Sequence, residues 1–252
     1  MPVWDQFLTA RDRHVFGGAG YGARAGFGER PVVLVIDVNY NFVGDRPEPI
    51  EDSIKRWRNS CGEEGWEAAA HIAQLLDAAR DKGLPVIYST GTDSRDDGFD
   101  RGRWLDKNSR GKEDFTVRRD NGNTIIQPIE PRPEDIVIAK SKPSVFFGTL
   151  LTSYLVDLQA DSIIACGTTT GGCVRATVID GFSFNYRMAV VEECTFDRGQ
   201  ASHAINLFDM HQKYADVVPL DETLEFVRGL PDGLFDARMP ILRRRYQLAG
   251  AR

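Results

Sequence analysis

Cys173 ends a hydroxyl- and glycine-rich turn, in IIACGTTTGGCVRAT over residues 163–177. A turn of that kind delivers a thiol to the start of a helix, where unpaired amides and the helix dipole favour a thiolate. The same amides can hold an oxyanion. Two further polar residues each follow an apolar run directly, Asp37 after PVVLVI and Lys140 after IVIA. In an open parallel sheet the ligand crevice lies beyond the carboxyl ends of the strands, so side chains that follow strands are the ones able to meet. A cationic Lys140 near the sulfur would favour the thiolate further, and Asp37 could take and return its proton. Together the three describe an activated nucleophile.

Each has a plainer reading. An aspartate after a strand commonly caps a helix or a turn. Lys140 could be a surface lysine, and Lys142 competes for any role given to it. Cys173 could be a small core residue, as expected of Cys61, Cys166 and Cys194.

The elements that must position these residues alternate in period. Pro31–Asp37 is a continuous β-branched run, as in a strand buried on both faces of a parallel sheet. Ala69, Ile72, Ala73, Leu75, Leu76 and Ala79 recur at helical spacing, with Gly83 and Pro85 as the stop. Further strands are expected at Val86–Tyr88, Ile136–Ala139, Ile163–Cys166, Met188–Val191 and Asp216–Val218, with helices near 148–158, 172–185, 200–213 and 221–228. Six strands separated by helices predict one α/β domain, a doubly wound, Rossmann-like parallel sheet with helices on both faces. The domain is placed at 31–228, between an N-terminal arm, 1–30, and a C-terminal arm, 229–252. In such a sheet the fourth strand returns beside the first, which predicts that Cys173 and Asp37 share one crevice. Segments 43–62 and 91–134 are too long for simple connectors and read as lids, pocket walls or subunit contacts.

Several classes of function are excluded or disfavoured. With 252 residues, 42% hydrophobic and 27% charged, the chain can bury a sizeable core, so disorder is not its dominant state. No apolar run approaches the roughly 18 residues of a membrane span. A formal charge of -6 argues against nucleic-acid binding, and Arg243, Arg244 and Arg245 read better as part of a solvated or subunit-wrapping arm. MPVWDQ lacks a secretory start and the four cysteines show no CxxC spacing, which together predict a cytoplasmic location. Gly20, Gly22 and Ala25 fit a dinucleotide GxGxxA pattern, but they precede the first strand instead of joining a strand to a helix, so no cofactor is expected there.

The ordered trio VLVIDVNYNF (33–42), KSKPSVFFGTLL (140–151) and GTTTGGCVRATVIDG (167–181) resembles the isochorismatase-like cysteine hydrolases, and within them the N-carbamoylsarcosine amidohydrolase branch. The resemblance runs from about Gly26 to Leu230. It implies a catalytic triad of Asp37, Lys140 and Cys173, with Lys140 preferred over Lys142 because the family lysine stands four residues before the motif serine, here Ser144. It also implies a cis peptide between Thr168 and Thr169 and an oxyanion hole made by the amides of Thr169 and Cys173. Arg198 matches an arginine that anchors the substrate carboxylate in the carbamoylsarcosine enzymes; its plainer role is to pair with Asp197. Arg175 reads as a brace of the fold or of a subunit contact. Asn39 stands where many members have glutamine and would change what is bonded at the pocket floor. Phe42, Phe146, Phe147 and Trp104 are candidate pocket walls.

The implied reaction is cysteine-dependent hydrolysis of a terminal amide or ureido C–N bond with release of ammonia. N-carbamoylsarcosine, biuret and triuret rank ahead of acid amides such as maleamate. The nicotinamidase branch holds a metal through an Asp and two His in the strand-two loop, yet between residues 40 and 140 the sole histidine is His71, on an expected helix. His14, His203 and His211 lie elsewhere, so no metal and no cofactor are expected. The expected partners are a small-molecule substrate and further copies of the chain, a homotetramer by family resemblance and long arms, with no nucleic acid and no membrane.

Overall fold

The computed structural model describes residues 1–92, 97, 99, 102–107 and 122–238. Six strands form one parallel sheet: β1 (Pro31–Ile36), β2 (Val86–Gly91), β3 (Ile136–Lys140), β4 (Ser162–Thr168), β5 (Arg187–Phe196) and β6 (Asp216–Val218). Their order is β3-β2-β1-β4-β5-β6. The chain therefore winds outward from β1 to β3, returns to lay β4 beside β1, and winds outward the other way. Every residue of β1 and β4 is buried, which is why both read as unbroken apolar runs. At the β3 edge burial alternates, with Ile136, Ile138 and Lys140 turned inward between exposed Val137 and Ala139.

Register places the chemistry. Ile36 pairs with Ser89 on one side and with Gly167 on the other, and Gly91 pairs with Lys140, so the carboxyl ends of β1, β2, β3 and β4 lie side by side. Gly167 is required there. Its φ is +106°, and a Cβ would stand 2.2 Å from the Ile36 carbonyl oxygen, so no larger residue lets β4 approach β1 this closely.

The principal helix, Glu63–Asp81, buries Ala68, Ala69, Ile72, Leu75, Leu76 and Ala79. It stops where the sequence predicts: Gly83 takes φ +67°, and the Leu84 amide returns to the Ala79 carbonyl at 2.9 Å, a glycine-terminated helix end. Helices Leu151–Leu158, Arg175–Ser183, Gln200–Lys213 and Leu220–Gly229 complete the layers. No helix among the described residues is long and apolar enough to cross a membrane.

Residues 1–30 are more structured than expected. Ala10–Ala19 is a helix capped reciprocally by Thr9 and Asp12, and it buries none of its own residues, so it leaves no apolar period in the sequence. Trp4 is buried against Phe208 and His211, while Phe16 meets Phe208 edge-on at 4.9 Å. The glycine run that mimics a dinucleotide loop serves β6 instead: the amides of Ala25 and Gly26 both donate to the Asp216 carboxylate. At the other end Phe235 is buried beneath the Arg30 guanidinium. Arg243, Arg244 and Arg245, and within segment 91–134 residues 93–96, 98, 100, 101 and 108–121, lie outside the described residues. Segment 43–62 is a packed wall, tied by Arg56 to Asp45 and Glu48 and by a 2.8 Å hydrogen bond between Ser53 and Ser60.

Candidate active site

Asp37 follows β1 with φ 55°, in the left-handed region that non-glycine residues seldom occupy, and is only 2% exposed. Its amide donates to the Ser89 carbonyl at 3.0 Å. Its Oδ1 accepts from the Ser89 hydroxyl at 2.9 Å, and its Oδ2 accepts from Lys140 Nζ at 2.7 Å. A buried carboxylate needs such partners, because an unpaired charge in this environment is costly.

Lys140 reaches the same point from the end of β3, with β2 lying between that strand and β1. Its inward side chain donates to Asp37, to the Lys142 carbonyl at 3.2 Å and to Cys173 Sγ at 3.3 Å. All three directions of the ammonium are thereby used. Burial opposes the charge, but the Asp37 carboxylate and the Cys173 sulfur outweigh it and hold Lys140 above the ordinary lysine value.

The structure corrects one expectation about Cys173. The sequence predicts a thiol made acidic by a helix N-terminus, whereas burial pushes it up to about 12. The nearby Asp37 carboxylate adds to the rise and Lys140 offsets only part of it. Cys173 sits in the turn Thr170–Val174, ahead of the helix Arg175–Ser183, and desolvation dominates there. Burial and the Asp37 charge thus work against a thiolate in the resting site, and its use as a nucleophile calls for a base. Cys61, Cys166 and Cys194 are also raised by burial, and all three are fully enclosed. Cys173 differs from them in being partly accessible and in facing Lys140.

The turn is built from short contacts. The Thr168–Thr169 peptide is cis, as the resemblance implies. The amides of Gly172 and Val174 converge on the Thr169 carbonyl at 2.8 and 3.2 Å. Thr168 is buried, with its hydroxyl donating to the Phe196 carbonyl at 3.1 Å. Thr177 Oγ1 donates to the Cys173 carbonyl at 2.7 Å and accepts from the Val145 amide at 3.1 Å, which links the turn to the motif after β3.

A cleft of about 280 Å³ opens on these residues, lined by Asp37, Lys140 and Cys173 together with Phe42, Asn41, Asn59, Asn123 and Trp104 among others. Its size suits a molecule of few heavy atoms. Of the candidate wall residues, Phe42 and Trp104 line it. Phe146 is buried and stacks on Phe184, and Phe147 is exposed elsewhere. Asn39 lies below the lining, 1% exposed, with its amide donating to Thr90 at 2.9 Å. Arg198 is not among the lining residues either. Its guanidinium donates to the carbonyl of Asn59, which is, and the Asp197 carboxylate accepts from the Arg198 backbone amide instead of pairing with its side chain. Arg175 braces the fold, bonding Asn206 and pairing with Asp209 at 3.5 Å. Asp37 is the sole carboxylate among the described lining residues and no histidine joins it. Among the described residues no cluster of His, Cys, Asp or Glu could hold a metal, and His71 bonds the Glu193 carbonyl away from the cleft.

Ser89 carries the same sequence signal as Asp37 and Lys140, a polar residue directly after the apolar run Val86–Tyr88. Asn41 lies in the short helix Tyr40–Val43 and Asn59 and Asn123 lie in turns, so none of them directly follows a strand.

The isochorismatase domain model matches residues 31–222 of the chain. A maleamate amidohydrolase of Pseudomonas putida is 29% identical over 215 residues, 83% of this chain and 92% of that protein. An N-carbamoylsarcosine amidase of an Arthrobacter species is 30% identical over 223 residues, 86% of this chain and 78% of that protein. Among solved structures, a cysteine hydrolase from Pseudomonas syringae superposes with a TM-score of 0.68 at 24% identity, covering 79% of this chain and 92% of the other. The chain belongs to the isochorismatase family and, with it, to the isochorismatase-like cysteine hydrolase superfamily.

Proposed function

We propose that this amidohydrolase cleaves the terminal C–N bond of a small ureido or amide substrate through a Cys173 thioester, with release of ammonia. The observation that carries the reading is the position of Lys140 Nζ, bonded to Asp37 Oδ2 at 2.7 Å and to Cys173 Sγ at 3.3 Å. One ammonium thereby joins a buried base to a nucleophile that needs one.

In the first half-reaction Asp37 takes the thiol proton as Sγ attacks the carbonyl carbon. The negative oxygen formed is held by the amides of Thr169 and Cys173. Asp37 then returns that proton to the nitrogen as the C–N bond breaks, and ammonia departs. In the second half, water gives a proton to Asp37 while attacking the thioester, and the thiol is regenerated as the acid leaves. With an ureido substrate that acid is a carbamate, which loses carbon dioxide. Lys140 keeps its proton throughout, stabilises negative charge on sulfur and fixes the carboxylate. Phe42 and Trp104 give the acyl portion apolar walls, and Arg198 acts by setting the position of Asn59.

Ureido compounds rank first, supported by the likeness to N-carbamoylsarcosine amidase over most of both chains. Maleamate-type acid amides are the second reading, supported by the likeness to maleamate amidohydrolase at similar identity. Ammonia release measured on N-carbamoylsarcosine, biuret, triuret, maleamate and nicotinamide separates them. Turnover of an ureido compound supports the first reading, and turnover confined to maleamate replaces it with the second. The reading fails if none of the five releases ammonia.

A further inference from the structure

The turn that carries Cys173 follows β4 and is also held by residues that follow β5. Asp197, just past the end of β5, accepts from the Gly171 amide through Oδ2 at 2.8 Å. His203, in the first turn of the helix Gln200–Lys213, is bonded through Nδ1 to the Thr170 hydroxyl at 2.7 Å. Thr170 is fully buried, so this bond has little competition from water. The turn is also pressed onto that helix. A Cβ on Gly171 would stand 2.8 Å from Asn206 Nδ2 and 3.0 Å from Ser202 Oγ, and one on Gly172 would stand 2.6 Å from Thr169 Oγ1. Thr170, Gly171 and Gly172 thus have partners or walls fixing three successive residues immediately ahead of Cys173.

We propose that Asp197 and His203 are positioning residues of the reaction, clamping the turn so that Cys173 Sγ meets the Lys140 ammonium and the Thr169 and Cys173 amides face the developing oxyanion. The proposal rests on the thioester reading of the site. Neither side chain lines the cleft that holds Cys173. Both instead line a separate cleft of about 480 Å³, which contains none of Asp37, Lys140 and Cys173. Their shared contact with the site is the turn, and Asp197 Oδ1 also accepts from the Arg198 amide at 2.8 Å. A misplacement of about 1 Å at a reacting centre can cost on the order of a hundredfold in rate, so a two-point clamp on a glycine-rich turn is a substantial part of the catalytic geometry.

The test compares Asp197→Ala and His203→Ala with Asp197→Asn and His203→Asn. The asparagine variants keep an acceptor for the Gly171 amide and a hydrogen-bonding group near the place of Nδ1. Two quantities are read in protein shown to be folded by its thermal transition. The first is kcat and KM on N-carbamoylsarcosine or maleamate. The second is the rate at which iodoacetamide labels Cys173, located by mass spectrometry. The expected result is a kcat lower by about tenfold to a hundredfold in each alanine variant, with KM little changed. The labelling rate of Cys173 should be altered in the same variants, and both quantities should largely recover in the asparagine variants. Wild-type kcat and labelling in folded alanine variants would overturn the proposal, as would losses that the asparagine variants share in full. Labelling needs no substrate, so the clamp is tested even where the hydrolysis reading fails, and that reading is tested separately by Cys173→Ala.

Discussion

Lys140 donates to Asp37 across 2.7 Å in a place where both side chains are almost wholly buried, one from β3 at the sheet edge and one from β1 at its centre. β2 lies between them and contributes Ser89 to the second carboxylate oxygen. Each charge exists in the interior because the other does. Lys140→Met, similar in bulk but uncharged, therefore leaves Asp37 without its cation. It is expected to lower unfolding free energy by about 3 to 5 kcal/mol, read by urea denaturation, and to abolish measurable ammonia release. Stability equal to wild type would show that the pair is not an energetic unit.

The same pair sets a pH dependence. The folded-state pKa of Lys140 is raised above its value in the unfolded chain, about 10.4. The folded protein therefore holds that proton more tightly, and the contribution is fully present below the unfolded pKa. It is lost as pH rises through the folded value. Urea titrations of wild type and Lys140→Met are expected to show a stability difference that is flat at neutral pH and narrows in the alkaline range. A difference that grows with alkaline pH contradicts the assignment.

Asp37→Asn separates the two roles given to that carboxylate. Removing its charge takes away one cause of the raised Cys173 pKa while Lys140 remains beside the sulfur. Alkylation of Cys173 by iodoacetamide near neutral pH is therefore expected to speed up, because more thiolate is present. Hydrolysis is expected to fall by at least about a hundredfold, because the group that moves the proton is gone. Opposite signs in the two assays distinguish a base from a residue that merely maintains the fold; equal falls in both would deny Asp37 its role as base.

Gly167→Ala tests the approach of β4 to β1. The added methyl would meet the Ile36 carbonyl oxygen at 2.2 Å in a backbone conformation that L side chains rarely adopt. A loss of about 3 kcal/mol or more is expected in thermal or urea unfolding. A near-neutral change would mean that the two strands part without cost.

How much of this was legible follows from physical range. β1 and β4 announce themselves because central parallel strands are apolar on both faces, and the strand-end positions of Asp37, Lys140 and Cys173 follow once the order of strands is assumed. The winding that brings Cys173 beside Asp37 was derivable for the same reason. The helix Ala10–Ala19 was not, since it buries none of its own residues and so has no period to read. The sequence shows the helix that follows Cys173 but not the walls that desolvate it, and it is burial that raises the thiol. Resemblance matches Arg198 to a substrate anchor, whereas its bond to the Asn59 carbonyl depends on how segment 43–62 packs, which no local rule specifies. Asn39 likewise turns beneath the cleft because Thr90 is there to accept its amide.

The most direct test of the central claim is trapping the acyl-enzyme. Wild type mixed with N-carbamoylsarcosine, biuret or maleamate, then quenched in acid and examined by peptide mass spectrometry, is expected to show an acyl mass increment on the peptide containing Cys173. Cys173→Ala is expected to show neither that increment nor ammonia release. Ammonia released at wild-type rate by folded Cys173→Ala, or an acyl group carried on another residue, would contradict the account.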